Sequence, residues 1–237
     1  MNIIETNTQT LSILEEAPAY HRWIIEKINP WLGGKILEVG CGTGNLTGLL
    51  LQHGKVIPSD VNEVYLQTVE RKFQSHFNLG KPLRWDIQEP PPPDLEGSMD
   101  TIVCSNVLEH VEEDEEALGH CFRLLSPGGR LILLVPALKW LYNGLDQELG
   151  HCRRYGRAEL EQKLKNQGFR IARVMFFNGF GVLGWFVNGT LLRRRILPRR
   201  QARLFNRMVP LFIRIEKGVP TFIGQSLIAI GEKEKEV

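Results

Sequence analysis

The segment Ile36-Leu37-Glu38-Val39-Gly40-Cys41-Gly42-Thr43-Gly44-Asn45 constrains the fold more than any other part of the 237-residue chain. A short apolar run entering three alternate glycines reads as a buried parallel strand that turns tightly into a helix. Glycines there let backbone approach a ligand and adopt dihedrals that other residues avoid. A plain strand-to-helix turn has the same outline, so the neighbouring residues decide. Glu38, two residues before the first glycine, would repel a dinucleotide's pyrophosphate but suits the cationic amino end of a zwitterion. A nicotinamide fingerprint also needs its third glycine three residues after the second, where this chain has Asn45.

Around this loop, apolar strands alternate with helical patterns. Lys35–Val39, Lys55–Ser59, Leu83–Trp85, Asp100–Ser105, Arg130–Val135, Phe169–Phe177 and Ser226–Gly231 read as seven strands. Helices are expected over Ala19–Asn29, from Leu46 to near Gly54, over Val61–Phe77 with Val64, Leu66, Val69 and Phe73 inward, after the acids at 112–116, and over Arg157–Asn166. Ser126-Pro127-Gly128-Gly129 should end the fourth of these, and Gly168 should cap the last. The first 18 residues are polar and weakly patterned. The pattern implies one α/β domain over 1–237: a Rossmann-like, doubly wound, mostly parallel sheet with helices on both faces. Its decorations are an N-terminal helical cap (1–34), a polar insertion (138–156) and a basic amphipathic insertion between strands six and seven (178–221).

ILEVGCGTGN resembles the first motif of class I S-adenosylmethionine-dependent methyltransferases, and the resemblance runs from about Trp31 to Pro136 and implies a last strand antiparallel to the others. It implies S-adenosyl-L-methionine as cofactor, held by Glu38 and by the loop Gly40, Cys41, Gly42, Thr43 and Gly44. Asp60, with Val61 beside it, stands where the family places an acid for the two ribose hydroxyls; capping the next helix is the alternative. Asp86 and Ile87 stand where an acid approaches the adenine amino group, although a surface turn would read the same way. Asn106 and Val107, in Ser105–Val111, fall in the segment that lines the cofactor and faces the acceptor.

Gly150-His151-Cys152-Arg153-Arg154-Tyr155 resembles the HxRRY signature of a bacterial subgroup associated with cell-surface glycans or polyprenyl-linked sugars. Arg153, Arg154 and Tyr155 would then bind substrate, the arginines by clamping a phosphate or carboxylate; a solvated basic turn is the alternative. His110 and His151 are the candidates for a general base toward a hydroxyl acceptor, against structural roles for either. The implied function is methyl transfer to an oxygen or other nucleophile of a small-molecule, glycan or lipid-linked acceptor. RNA is the alternative substrate, and a nicotinamide oxidoreductase the less favoured reaction.

Charge bears on the partner. Gly184–Ile215 holds eight of the chain's 29 basic residues, all arginines, and no acid or lysine. Apolar residues interleave with them, as in an element lying on a membrane surface or packing as a cap on this protein or on a second copy. Val174–Leu192 is uncharged over 19 positions, but its four glycines and two asparagines disfavour a span. A sequence pI near 8.4 is low for a nucleic-acid domain. Four scattered cysteines without a CxxC pair read as free thiols, with no metal site expected, and no secretory signal is apparent. These features place the chain in the cytoplasm, peripheral at the inner membrane face if the basic segment docks there.

Overall fold

The computed structural model describes residues 3–196, 198–218 and 222–235; the expected boundaries at 1, 219–221 and 237 lie outside the described residues. Seven strands form one sheet: β1 (Lys35–Val39), β2 (Lys55–Asp60), β3 (Leu83–Arg84), β4 (Met99–Ser105), β5 (Leu125–Pro136), β6 (Arg170–Phe177) and β7 (Ser226–Glu232). Their order is β3-β2-β1-β4-β5-β7-β6. β7 alone runs against its neighbours, slotted between β5 and β6. The order reverses at β1, so the connections leaving the paired strands β1 and β4 run in opposite directions and leave a crevice at their carboxyl ends, where such sheets bind ligands.

The helices are α1 (Ile3–Glu15), α2 (Pro18–Ile28), α3 (Thr47–Leu50), α4 (Glu63–Phe73), α5 (Asp114–Leu124), α6 (Gly144–Leu149), α7 (Arg157–Asn166), α8 (Gly179–Trp185) and α9 (Arg199–Gly218). Two cores sandwich the sheet. On one face Leu118, Cys121 and Leu124 of α5 and Leu160 and Leu164 of α7 meet Leu131, Leu133 and Val135. On the other, Trp23, Ile24 and Ile28 of α2 and Val209 and Phe212 of α9 meet Ile36, Val103 and Ile132.

Four expectations change. The first 18 residues are not featureless: α1 is a helix whose Ile13 is buried. The helix after the glycine loop is a single turn, α3, continued by looser turns to His53. Val64 points outward, 63% exposed. Asn62 caps α4 by accepting from the Val64 amide, and the buried face is Leu66–Val69–Phe73; Val64 lies about 200° around the helix from Leu66. Ser126–Gly129 does not separate helix from strand but bulges within β5, Leu125 pairing with Met99 and Arg130 with Thr101. Cys41, Cys104 and Cys121 are buried free thiols, and Cys152 is an exposed one.

The basic insertion packs as a cap on its inner side. Asn206 of α9 accepts from the amides of Ala19 (2.8 Å) and Tyr20 (3.3 Å), capping the otherwise uncapped start of α2. Glu216 does the same for Gly179 at the start of α8. Phe180 stacks on Phe212 at 4.1 Å between ring centroids. Burying Val209 and Phe212 contributes about 1.5–3 kcal/mol each. The outer side differs: Leu204, Met208, Leu211 and Ile215 recur at helical spacing along an exposed stripe. Among the described residues no helix is long and apolar enough to cross a membrane.

Candidate active site

β1 ends in the glycine loop. Gly40 (φ 72°) and Gly42 (φ 52°) occupy the left-handed region, and a Cβ on Gly40 would collide with Val107 Cγ2. Only glycine satisfies both demands there. The loop is tied to β2: the amides of Gly40 and Cys41 donate to Ser59 O (2.9 Å each), and the Gly42 amide donates to Asp60 Oδ2 (2.9 Å). Asp60 Oδ1 accepts from the Asn62 amide, while the cap of α4 is Asn62 itself. The helix-cap alternative for Asp60 therefore fails, and its carboxylate braces the glycine loop.

Glu38 is buried beneath this loop and accepts a 2.6 Å hydrogen bond from Thr47 Oγ1. Burial raises its carboxyl to about 8; the Thr47 bond opposes the rise and the charge of Asp60 adds to it. Burial also raises Asp60, against the bonds from Asn62, Gly42 and Val61. Thr43 Oγ1 is buried with no hydrogen-bond partner among the described residues. Two strained acids and an orphaned hydroxyl around close-approach backbone fit a cationic ligand bearing hydroxyls. S-adenosylmethionine, with its ammonium, sulfonium and ribose, has that chemistry. When bound, it supplies an electrophilic methyl carbon.

The remaining cofactor candidates line the same edge. Val61 is exposed beyond β2. Asp86 is half-buried beyond β3, and its Oδ1 accepts from the Gln88 amide at 3.0 Å, a contact within the local turn. Ile87 is buried beside it. Asn106 is exposed with φ 53°, and Val107 packs onto Gly40. α1 lies over the loop: Leu11 would be 3.1 Å from a Cβ on Gly42, and Asn45 Nδ2 donates to Leu11 O (3.5 Å). The weak patterning of the first 18 residues gave no sign of this lid.

The 138–156 insertion follows β5, and its basic and aromatic residues, expected to bind substrate, are each held by partners within the protein. Arg154 is buried, its Nε on Asp146 Oδ1 (2.8 Å), its Nη1 on Ala137 O (2.8 Å) and its guanidinium over the Trp185 ring. Tyr155 is fully buried and donates to Asp114 Oδ2 at 2.9 Å. Arg153 pairs with Asp114 at 2.9 Å and donates to Glu112 O. All three fasten the insertion to the domain. Their spacing was visible in the sequence; their partners were not.

His110 and His151, by contrast, do come together, ring centroids 4.9 Å apart and nearly perpendicular. His110 Nδ1 lies 3.2 Å from Gly150 O, and His151 Nδ1 lies 2.9 Å from Asp146 Oδ1. Burial and the neighbouring His151 lower His110 to about 4, so it is a neutral imidazole and a feeble base. Asp146 went unassigned in the sequence. Burial alone would raise it, but the His151 bond and the charges of Arg154 and His151 outweigh that and hold it ionised. It accepts from His151, Arg154, Trp185 and the Asn143 amide. The spacing Asn143-x-x-Asp146, a capping box, was its legible signal. Glu109 was also unassigned. It is fully buried, and burial raises it to about 7 against the charges of His151 and Arg154.

A family model described as a methyltransferase domain matches residues 17–174. A Mycolicibacterium smegmatis protein named "Probable S-adenosylmethionine-dependent methyltransferase" is 30% identical over 63% of this chain and 58% of its own length. A ubiquinone biosynthesis O-methyltransferase of Pseudomonas fluorescens is 30% identical over 48% of this chain and 49% of its own. The chain thus spans little more than half the length of the curated relatives it matches. In fold it is similar to a SAM-dependent methyltransferase from Aquifex aeolicus (TM-score 0.61, 15% identity, 98% of this chain and 99% of that one). A Mesorhizobium loti counterpart gives TM-score 0.61 at 16% identity, over 90% and 97% of the two chains. With a glycine loop, a buried acid and a brace to β2 arranged for that cofactor, the chain belongs to the S-adenosylmethionine-dependent methyltransferases.

Proposed function

We propose that the protein transfers the methyl group of S-adenosylmethionine to an oxygen of a lipid-linked acceptor presented at a membrane surface. The observation that carries this reading is the outer face of α9. Leu204 (58% exposed) and Leu211 (51%) stand in one apolar stripe with Met208 and Ile215. Arg200, Arg207 and Arg214 make no ion pair among the described residues and flank that stripe, about 20–60° around the helix from Leu211. A cap alone needs only the inner face. An apolar stripe with arginines alongside is the pattern of a helix lying in a headgroup layer, where each arginine adds roughly 1 kcal/mol toward anionic lipid. Oxygen as the acceptor atom is supported by the relatives named O-methyltransferases and by the paired imidazoles of His110 and His151 beside Asn106 and Val107.

The test supplies methyl-tritiated cofactor, vesicles containing the organism's lipid extract, and the full-length protein. Label should enter the organic phase and resist base treatment that cleaves methyl esters. Transfer should depend on anionic lipid, fall with salt, and fall when Leu204 and Leu211 both become Ser. Label confined to RNA or to water-soluble products, or indifference to lipid charge, would overturn the reading.

A further inference from the structure

We propose that Glu109, His110 and His151 bind one divalent cation, which holds and acidifies the acceptor oxygen; the role assigned to the cation rests on the O-methyl reading above. Neither carboxylate oxygen of Glu109 has a hydrogen-bond partner among the described residues, although the side chain is fully buried. An ionised carboxylate left that way is costly, and buried charges are ordinarily paired or coordinated to metal. The two imidazoles supply the rest of the ligand set. Gly150 O and the ionised Asp146 carboxylate can only accept, so Nδ1 of His110 and Nδ1 of His151 both carry hydrogen. Metal binding requires both Nε2 atoms unprotonated, and each then offers a lone pair.

The His151 lone pair faces the orphaned carboxylate. His151 Nε2 stands 3.9 Å from Glu109 Oε1, beyond hydrogen-bond range. With Nε2 unprotonated, the two atoms are both electron-pair donors facing one gap. One ligand atom from each of the three residues lies within 4.8 Å of the others. Imidazoles anchored through Nδ1, with Nε2 turned inward, are the usual arrangement for histidine ligands, the outer partner fixing the tautomer and raising basicity. Two imidazoles and one carboxylate leave positions open for an exogenous oxygen, and suit zinc, manganese, cobalt or ferrous iron. The local charge agrees: Asp146 and an ionised Glu109 outnumber Arg154. Because Glu109 and His110 follow Asn106 and Val107 on one segment, a cation here sits beside the methyl donor. An acceptor hydroxyl sharing the cation loses its proton to solvent as it binds. Its oxygen lone pair then forms the O–CH3 bond as the C–S bond breaks and that electron pair stays on sulfur.

The test reads metal directly. Full-length protein, stripped with a chelator, is titrated with Co2+ while visible absorption is followed, and then with Zn2+ in competition. About one equivalent should bind, and Glu109→Gln or His151→Gln should each weaken binding at least about tenfold. Cofactor affinity, measured in parallel, should hold in both variants, since neither residue touches the glycine loop. Should Glu109→Gln fail to fold, the half-buried His110 as His110→Gln carries the same test. No saturable cobalt signal, or equal affinity in the variants, would overturn the site and leave a proton shared between Glu109 and His151 as the account. Cation binding is measured without acceptor, so methylation of nitrogen or carbon would refute the O-methyl reading while leaving the site standing.

Discussion

Replacing Glu38 by Gln separates what the fold wants from what the cofactor wants. Without ligand, burial raises this carboxyl from 4.5 to about 8. The folded chain therefore holds a proton that the unfolded chain has released, and the stability it supports is present below about pH 4.5 and lost as pH rises through 8. One largely retained proton makes wild type lose about 2 kcal/mol relative to Glu38→Gln between about pH 6 and pH 8. Glu109, raised in both proteins, cancels from the difference. Urea unfolding without cofactor at several pH values measures the gap. Calorimetry supplies the other half: a cofactor ammonium favours the ionised carboxyl, so wild type should release a proton on binding near pH 7. That proton appears as a heat that depends on the buffer's ionisation enthalpy. Glu38→Gln should bind more weakly and release none. Unfolding midpoints that stay parallel across this pH range would refute the buried-acid argument.

Asp146→Ala should destabilise the protein by about 3–5 kcal/mol, because it strands the buried Arg154 charge; a urea-midpoint loss worth under about 1 kcal/mol would show that Arg154 finds water instead. Tyr155→Phe, removing one buried bond to Asp114, should cost about 1–2 kcal/mol while leaving acceptor KM unchanged. A raised KM would return Tyr155 to the acceptor site.

Legibility followed the range of the interactions. The βαβ alternation, the glycine loop and Asp60 were readable because each depends on neighbours within one turn or one crossover. β7 was readable from its alternation, and its antiparallel sense from the family resemblance. α1 was not, since its apolar residues matter only once they lie on Gly42. Arg154 and Tyr155 were half-legible for the opposite reason: their residue types were plain, but their partners, Asp146 and Asp114, lie 8 and 41 residues away. The basic segment was half-readable. Its charges and apolar residues were evident, but which apolar residues face inward was set by Asn206 and Phe212 packing on α2 and α8.

The slot that β7 takes between β5 and β6 has a consequence for how this enzyme can change. Ser226 pairs with both Pro136 and Phe177, so the chain leaves and re-enters the sheet at one point. The excursion between them is in effect the loop of a hairpin, and lengthening such a loop adds closure cost only logarithmically. The opposite half of the sheet, β1 to β3 with the glycine loop, shares no strand pairing with it. Evolution can therefore redraw the surface of this excursion, by insertion, deletion or wholesale exchange, without re-pairing the strands that carry the glycine loop.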